Sequence, residues 1–481
     1  MIREFLHTIG KKLMLITEEN LNNKTYLEKK IANWLHSPQR MEQLTGDRYY
    51  RGDHDILNNK RMGIGEDGKP VELKNLPNNR KVDNQYAKMV DQKVNYLLGQ
   101  PIAFNCDDEN YVASLKKIFN KRFQKTLKNV GEDCINGGIA WLYPYYSNSE
   151  LKFKRFAAHE ILPFWSDTDH TELAMAVRYY IEEDPNNIDR VIEKVEVYGK
   201  NGIDFYTFEN NRLHPDVKKQ HENYMTVGEQ GYNWERIPLI AFKFNAKEIP
   251  LIKRCKNLQD GINELISTFK NNMEEDARNT ILVLENYEGQ DLGEFRQNVA
   301  QYGVIKVGSV DGARGDVRTL NIEVNSANYE SILRVFKKAL IDNCKGYDFS
   351  ELRTGGSPNQ MNIKSIYSDI DLDANSMELE FQCAFEELLW FIEQSLEATE
   401  TDVEVIFNRD GVVNETEIMQ MLVSAGVKIS NRTLLSQVPF VDDIEEELKA
   451  VEKETQEEID AYAGAVPMNG KTQGGMKNAN K

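Results

Sequence analysis

The spacing of apolar residues between Ile249 and Leu396 predicts two long helices with a small β-rich insert between them. The first helix carries its apolar residues at steps of three and four, which places them on one stripe: Leu258, Ile262, Leu265, Ile266, Phe269 and Met273. The second helix has a matching stripe of Tyr329, Ile332, Leu333, Phe336 and Leu340. At about 1.5 Å per residue each helix is about 30 Å long. We therefore expect the two helices to pair antiparallel and to hold the insert away from the body.

Short β-branched runs mark the insert. They cover residues 280–284, 304–307 and 317–320 and are separated by glycine-containing turns, a pattern that predicts strands. Beyond the second helix, residues 346–360 are rich in Gly, Ser, Asn and Pro, which favours an exposed loop. The apolar spacing then predicts a third long helix from Ser376 to Leu396.

The first 248 residues predict an α+β body. Aromatic and β-branched segments predict strands at residues 139–145, 151–156, 161–165, 174–181, 191–197, 202–208 and 236–242. Helical spacing appears at residues 83–98 and 125–135, and in a helix through Leu27 and Leu35 that Thr17 or Asn20 would cap. Short connections favour a largely antiparallel sheet with helices packed on it. A strand at residues 403–407 is expected to return to this sheet.

The composition limits the partners of the chain. Its net charge of -18 and its isoelectric point near 5.1 argue against a surface built to grip phosphate backbones, since tight nucleic-acid binders usually show a basic face. An acidic chain is still compatible with a channel through which DNA slides without sticking. The 481 residues, 40% of them hydrophobic, allow several cores and about three domains.

The cysteine and hydropathy patterns indicate the cellular compartment in which the protein is expected. The five cysteines are widely separated and form no C-x-x-C pair, which is typical of reduced thiols in a cytosolic product. No window has the roughly 18 unbroken apolar residues that span a bilayer, so no membrane contact is expected. Lys11 and Lys12 interrupt the apolar start, which favours an amphipathic helix over a signal peptide. No cofactor is expected, because the glycines between Gly308 and Gly315 lack the Gly-Lys-Ser/Thr ending of a phosphate loop.

Short motifs occur in a fixed order along nearly the whole chain. They are the Tyr-Tyr-Arg-Gly-Asp core of residues 48–57, residues 81–84 leading to 96–101, and residues 138–141 followed by 161–163. The succession of helix, insert, helix, polar loop and long helix between residues 249 and 396 follows them. Together these features resemble the portal proteins of long-tailed double-stranded DNA bacteriophages, particularly those that infect Gram-positive bacteria.

The resemblance implies an α+β portal-type subunit with a mixed α/β wing, a two-helix stem, a β-rich clip, a long tunnel helix and a helical crown. Its parts would be the wing at 1–248, stem helices at 249–276 and 326–346, the clip at 277–325, the tunnel loop at 347–362, the tunnel-lining helix with a returning wing strand at 363–413, the crown at 414–465 and a disordered tail at 466–481.

The resemblance also implies a function. The family forms a ring, usually of twelve subunits, at one capsid vertex of the virion, after synthesis in the host cytoplasm. Double-stranded DNA passes through the ring non-specifically during packaging and ejection. The other implied partners are the terminase packaging ATPase, capsid and scaffolding proteins, and a head-completion or connector protein. The subunit itself would not be an enzyme.

Two groups of site residues follow from the resemblance. The residues expected to face DNA in the tunnel are Arg353, Thr354, Gly355, Gly356, Ser357, Asn359, Gln360 and Lys364. The residues expected in the clip, at the exposed end of the stem, are Arg296, Lys306, Arg314 and Arg318. They are candidates for docking the motor or the connector, with ordinary solvated charge as the alternative.

Two other hypotheses remain open from the sequence. Asp369, Asp371, Asp373 and Glu380 have the carboxylate spacing of a calcium loop, but Ala374 stands where the sharp turn requires glycine. An acidic helix start near the positive end of the dipole is favoured over a metal site. The same carboxylates could serve a magnesium-dependent nuclease, and a cytosolic helical scaffold protein is the second alternative.

Overall fold

A computed structural model of the chain describes residues 23–64, 68–74, 76–147, 150–184, 187–227, 230–276, 281–285, 309–310, 313–314, 316–320, 326–348, 360–396, 403–409, 435, 441 and 444–465. Within these residues the α-helices are α1 (Lys24–Leu35), α2 (Pro38–Tyr50), α3 (Gln85–Leu98), α4 (Glu109–Ile118), α5 (Lys121–Gly137), α6 (Ile252–Asp276), α7 (Ser326–Asn343), α8 (Gln360–Leu396) and α9 (Ile444–Ala465).

The same described residues contain the strands β1 to β19. They are β1 (Met62–Ile64), β2 (Pro70–Glu72), β3 (Ala103–Asn105), β4 (Ile139–Ser147), β5 (Glu150–Phe156), β6 (Ile161–Trp165), β7 (Leu173–Asp184), β8 (Asn187–Gly199), β9 (Gly202–Glu209), β10 (Arg212–Pro215), β11 (His221–Glu222), β12 (Met225–Val227), β13 (Gln230–Tyr232), β14 (Ile240–Lys243), β15 (Ile281–Glu285), β16 (Ser309–Val310), β17 (Ala313–Arg314), β18 (Asp316–Leu320) and β19 (Glu404–Ile406).

Local sequence signals set the ends of the helices. Ser37 caps α2 by accepting from the backbone N–H of Arg40, and Pro38 follows at the first helical position, where its missing N–H costs nothing. Gly138 ends α5 with a φ of 80°, a conformation that favours glycine. Asn23 caps α1, so the prediction of a cap at Thr17 or Asn20 is wrong. Asn23 supplies the side-chain oxygen that accepts from two first-turn N–H groups.

The body is built on antiparallel sheets. A six-stranded sheet has the order β10-β9-β8-β7-β6, with β11 also paired to β9, and a second sheet has the order β14-β4-β5. The prediction of an α+β body is confirmed at this level. Helix α1 packs on the six-stranded sheet through a small apolar cluster, whereas α3, α5, β4, β14 and α8 share the main core.

The predicted return of the 403–407 strand to the main sheet is wrong. Strand β19 pairs antiparallel with β3, with Val405 opposite Phe104. Strand β3 is too short to be recognised by alternation in the sequence, so its pairing with β19 is a tertiary effect.

The predicted antiparallel pairing of α6 and α7 forms, and we call these two helices the stem pair, although their place in a portal stem stays a prediction. The Phe269 ring of α6 lies 4.9 Å from the Tyr329 ring of α7, and Gly261 faces Phe336 near the other end, so the helices run antiparallel. Gly261 permits this approach, since a Cβ there would lie 2.8 Å from the Phe336 ring. Met273 and Ile332 were predicted on the packed stripes but are 50% and 44% exposed. Fewer residues are therefore buried between the two helices than the apolar spacing predicts.

The insert is described only in part. Strand β15 pairs with β18, in agreement with the predicted strands at 280–284 and 317–320. Strand β16 pairs with β17, and this pair was not predicted. The predicted strand at 304–307 lies outside the described residues. In the described ranges, no helix is long and apolar enough to cross a bilayer.

Helix α8 is much longer than predicted. It begins at Gln360 instead of Ser376, and so includes the acidic run Asp369–Asp373 and the last residues assigned to the tunnel loop. The expectation that the acidic run starts the helix is wrong. The charges of Asp371 and Asp373 are instead paired with cations that come from elements distant in the sequence, as described next.

Candidate functional site

Four elements meet beside the predicted tunnel loop, and one aspartate joins them. Asp373 of α8 accepts from Lys93 Nζ of α3 at 2.9 Å and from Arg254 Nη1 of α6 at 2.5 Å. Lys345, just beyond α7, lies 3.1 Å from the other carboxylate oxygen. Lys93 also donates to the backbone carbonyl of Lys345 at 3.2 Å. We call these four residues the junction.

The junction keeps its aspartate ionised. The side chains of Asp373 and Lys93 are only 7% and 3% exposed. Burial opposes ionisation of Asp373, but the charge of Lys93 and the hydrogen bonds from Arg254 and Lys93 hold its pKa below the ordinary value. Removing one partner would leave an unpaired buried charge, which is far more costly than the pair itself.

An aromatic clamp holds the residue that leads into the loop. The Tyr347 ring lies 5.0 Å from the Tyr367 ring of α8, which stacks on Tyr96 of α3 at 5.3 Å. Gln92 fixes the backbone of Tyr347, because its Nε2 donates to the Tyr347 carbonyl at 2.9 Å and its Oε1 accepts the Tyr347 N–H at 3.3 Å. Since α8 begins at Gln360, about two helical turns, or about 10 Å, extend beyond this clamp.

A second ionic group fastens the segment after β19 to α8. The Arg409 guanidinium donates to Asp371 at 2.8 Å and to Glu378 at 2.7 Å. The Tyr96 hydroxyl donates to the same Asp371 oxygen at 2.6 Å. Asp371 therefore links α3, α8 and the segment that follows β19.

These contacts define the role of the acidic residues 369–373. Asp371 and Asp373 face separate cations and do not converge on a shared centre. Among the residues with described positions, no group of three or more His, Cys, Asp or Glu side chains could hold a metal ion. The nuclease hypothesis at Asp369, Asp371, Asp373 and Glu380 is not supported.

Most of the predicted tunnel residues lie outside the described residues: Arg353, Thr354, Gly355, Gly356, Ser357 and Asn359. Gln360 is the first residue of α8, and Lys364 is exposed one turn later. Their assignment to the tunnel stays a prediction.

The predicted clip residues are likewise described only in part. Arg296 and Lys306 lie outside the described residues. The backbone of Arg314 pairs with Ser309, and that of Arg318 pairs with Val283, in two different two-stranded sheets. Whether they dock a partner stays a prediction.

Sequence reasoning missed the junction. Lys93 occupies a position on the apolar stripe of α3, between Val90 and Leu97, and Asp373 lies between Ile370 and Met377 on α8. A charged residue on an apolar stripe signals a buried partner, since a charge is buried only when it is paired. That signal identifies each residue but does not identify its partner.

Sequence reasoning also missed a polar ladder along α6. Four side chains at four-residue steps each accept a backbone N–H from an extended segment, residues 79–86, that precedes and opens α3. The rungs are Asn271 with Asn79 at 2.7 Å, Ser267 with Lys81 at 2.9 Å, Asn263 with Asp83 at 3.0 Å and Gln259 with Tyr86 at 2.9 Å. Because the spacing places the four side chains on one face, the side chains of α6 bond the stem to the peptide N–H groups of the body.

The buried His54 completes this ladder. Its Nε2–H donates to the Tyr49 carbonyl at 3.0 Å, so its Nδ1 accepts from Asn263 Nδ2 at 2.7 Å. Burial lowers the pKa of His54, which favours the neutral ring that this arrangement requires. His54 is thus a hydrogen-bonded structural residue.

Comparison with known proteins extends over nearly the whole chain. The family model described as phage portal protein, SPP1 Gp6-like, matches residues 27–461. A portal protein of Bacillus phage SPP1 is 27% identical over 441 residues, which cover 89% of this chain and 85% of that protein. A portal protein of Clostridium phage phiCD119 is 25% identical over 425 residues, which cover 85% of this chain and 91% of that protein. The matched range includes the stem pair, the junction and α8.

Proposed function

The chain belongs to the SPP1 Gp6-like family of phage portal proteins, and on that basis we propose that it assembles into a closed ring at one capsid vertex. The ring, of about twelve subunits by the resemblance to the family, serves as the conduit through which double-stranded DNA is packaged and ejected. The protein is located in the virion and acts as a structural component. A separate terminase ATPase supplies the energy for translocation.

The junction is the observation that carries this proposal. Lys345 and Tyr347 before the loop, and Tyr367 and Asp373 after it, are all held against α3 and the stem. A loop anchored on both sides can project from a fixed base without its own packed core. Its small and polar residues suit contact with DNA that slides past and is not read.

Exposed apolar side chains on the same elements support ring assembly. Ile332 and Val335 on α7, and Leu372 and Leu379 on α8, are 44%, 61%, 56% and 63% exposed. A ring closes by heterologous contacts, one face of each subunit against a different face of the next. These side chains would be covered by neighbouring subunits.

We assign docking of external partners to the clip, through Arg296, Lys306, Arg314 and Arg318. The packaging motor and the head-completion or connector protein would bind there in turn, while capsid and scaffolding proteins would contact the wing. Charge reversal of Arg314 and Arg318 should weaken motor binding without dissolving the ring. Ring loss in that variant would instead assign these arginines to subunit contacts.

Mass measurement and axial electron micrographs of the purified protein test the ring. The expected result is a closed ring with a central hole. A chain that stays monomeric or dimeric at all concentrations and ionic strengths would contradict the proposal.

Replacement of Gly355–Gln360 by a short linker tests the tunnel loop. The ring should persist while DNA packaging is reduced. Replacement of the exposed residues 217–220 in the wing is the matched control and should leave packaging unchanged. If packaging continued unchanged in the loop variant, the assignment of the loop would be wrong.

A further inference from the structure

The surface formed by α4 and α5 is basic although the chain is strongly acidic. Residues 110–130 contain six lysines or arginines and no aspartate or glutamate. All six are exposed, and five of them form no ion pair with any carboxylate whose position the structure describes. We call these five the basic stripe: Lys117, Lys121, Arg122, Lys125 and Lys128.

The basic stripe stands on a well-packed support. On α5 the side chains of Phe123, Leu127 and Val130 are buried, with the Phe123 ring 5.0 Å from Phe153 of β5. Lys121 and Lys128, seven residues apart, share the opposite face of the helix. They are separated by about 10 Å along the axis. The cations are therefore presented in a fixed row.

The helix itself does not account for this row. Lys121 and Arg122 lie in the first turn of α5, where the helix dipole is positive and cations are disfavoured. Some cations elsewhere in the chain do pair with carboxylates, as at Lys194 with Asp216 and Lys256 with Asp260. The cations of α5 are thus unmatched within the described part of the subunit, two of them also against the helix dipole, and they complement an anion outside the subunit.

We propose that the basic stripe binds the phosphate backbone of double-stranded DNA, at a site separate from the predicted tunnel residues and reachable from outside the ring. Phosphates of one strand advance about 3.4 Å each, so a row about 10 Å long matches about three of them. The inference goes beyond the conduit function and does not depend on which residues line the tunnel.

The surroundings of the stripe favour DNA over an acidic protein. No large apolar side chain is exposed among the described residues from 76 to 147. The central parts of protein interfaces are depleted in lysine and enriched in aromatic residues, whereas contacts with phosphates need only exposed cations. Phe123 and Tyr111 are turned into the core, so stacking on bases is not expected.

Covalently closed circular DNA tests the outer site directly, because it cannot thread through a closed ring. The assembled full-length protein should bind this DNA with an affinity that falls as salt rises. The variant Lys121→Glu/Lys125→Glu/Lys128→Glu should bind at least about tenfold more weakly. The slope of log affinity against log salt should fall by about 2 to 3 for three lost phosphate contacts.

The matched control reverses three exposed lysines on α1, Lys24→Glu/Lys29→Glu/Lys30→Glu, and changes the net charge equally. It should retain the wild-type affinity within about twofold. Failure of the wild-type ring to bind, or an equal loss in the control, would overturn the proposal. Displacement of the DNA by polyglutamate at equal charge would also overturn it and assign the stripe to an acidic protein. Packaging of linear DNA, measured separately, reports on the channel alone.

Discussion

The two halves of α8 shift the pKa of a carboxyl group in opposite directions. In the N-terminal half, neighbouring cations keep the pKa of Asp373 below its ordinary value despite burial. In the C-terminal half, burial raises the pKa of Glu387 from 4.5 to about 7, against the opposing charges of Arg236 and Lys243. One helix therefore contains one carboxyl group whose ionised form the fold stabilises and another whose ionised form the fold destabilises.

The difference follows from what each half packs against. The N-terminal half meets the stem through the cations of the junction. The C-terminal half lies in the main core, where the Phe381 ring is 4.9 Å from Phe242 and Phe391 packs on Trp234 at 5.4 Å. The first half combines these charged contacts with a small apolar cluster around Ile363, Tyr367 and Ile370, whereas the second half packs in the main core, so the two should respond differently to mutation and to pH.

Removal of the junction carboxylate should have the largest effect. Asp373→Ala leaves Lys93 buried and unpaired, and should lower the free energy of unfolding by about 3–5 kcal/mol. Because the folded pKa of Asp373 is depressed, this difference should shrink only when the pH falls below about 4. Urea unfolding at several pH values measures both. The double variant Lys93→Met/Asp373→Leu should recover most of the loss, and no recovery would contradict the pairing.

Truncation in the C-terminal half should be costly but insensitive to pH. Leu388 is fully buried, and Leu388→Ala should lower the free energy of unfolding by about 3 kcal/mol through lost burial and the cavity left behind. The same urea series applies. A strong pH dependence of this difference between pH 5 and 8 would show that the apolar half is also governed by charge.

Neutralising Glu387 should be stabilising, with the opposite sign to the change at Asp373. A raised pKa in the folded state contributes stability below the ordinary pKa and loses it as the pH rises through about 7. Glu387→Gln should therefore gain about 2 kcal/mol at pH 8 and nothing near pH 4. Equal stability of variant and wild type at pH 8 would contradict the raised pKa.

The smallest effect is expected at Asp371. Its partner Arg409 is partly exposed, so the ion pair is screened by water, and Asp371→Asn should cost less than about 1 kcal/mol. This variant is the matched control for Asp373, because both residues lie on the N-terminal half of α8. A loss as large as that of Asp373→Ala would show that burial is not what distinguishes the junction.

The sequence predicts the parts of this molecule whose signal is local. The stem pair follows from residues at steps of three and four, and strands β4 to β9 follow from alternation and β-branched content. The start of α8 could not be predicted in the same way. The acidic run suggested a helix start because the cations that neutralise it, Lys93, Arg254 and Lys345, come from three other elements.

The candidate site shows the same division. Composition argued against a surface that grips phosphate, but net charge averages over the chain and conceals the local excess of cations on α4 and α5. The junction was signalled by Lys93 on an apolar stripe, although its partner lies 280 residues away. Pairings across such separations depend on tertiary structure and have no local signature.

The polar ladder along α6 has a geometric basis. Four residues of helix rise about 6.0 Å, and two residues of extended chain advance about 6.6 Å, so the two repeats are nearly commensurate. The acceptors from Asn271 to Asn263 meet every second N–H of the opposing segment in antiparallel register. Ser267 meets Lys81 only at its peptide N–H, and the Lys81 side chain is exposed, so substitutions at Lys81 should preserve the mechanical coupling between stem and body.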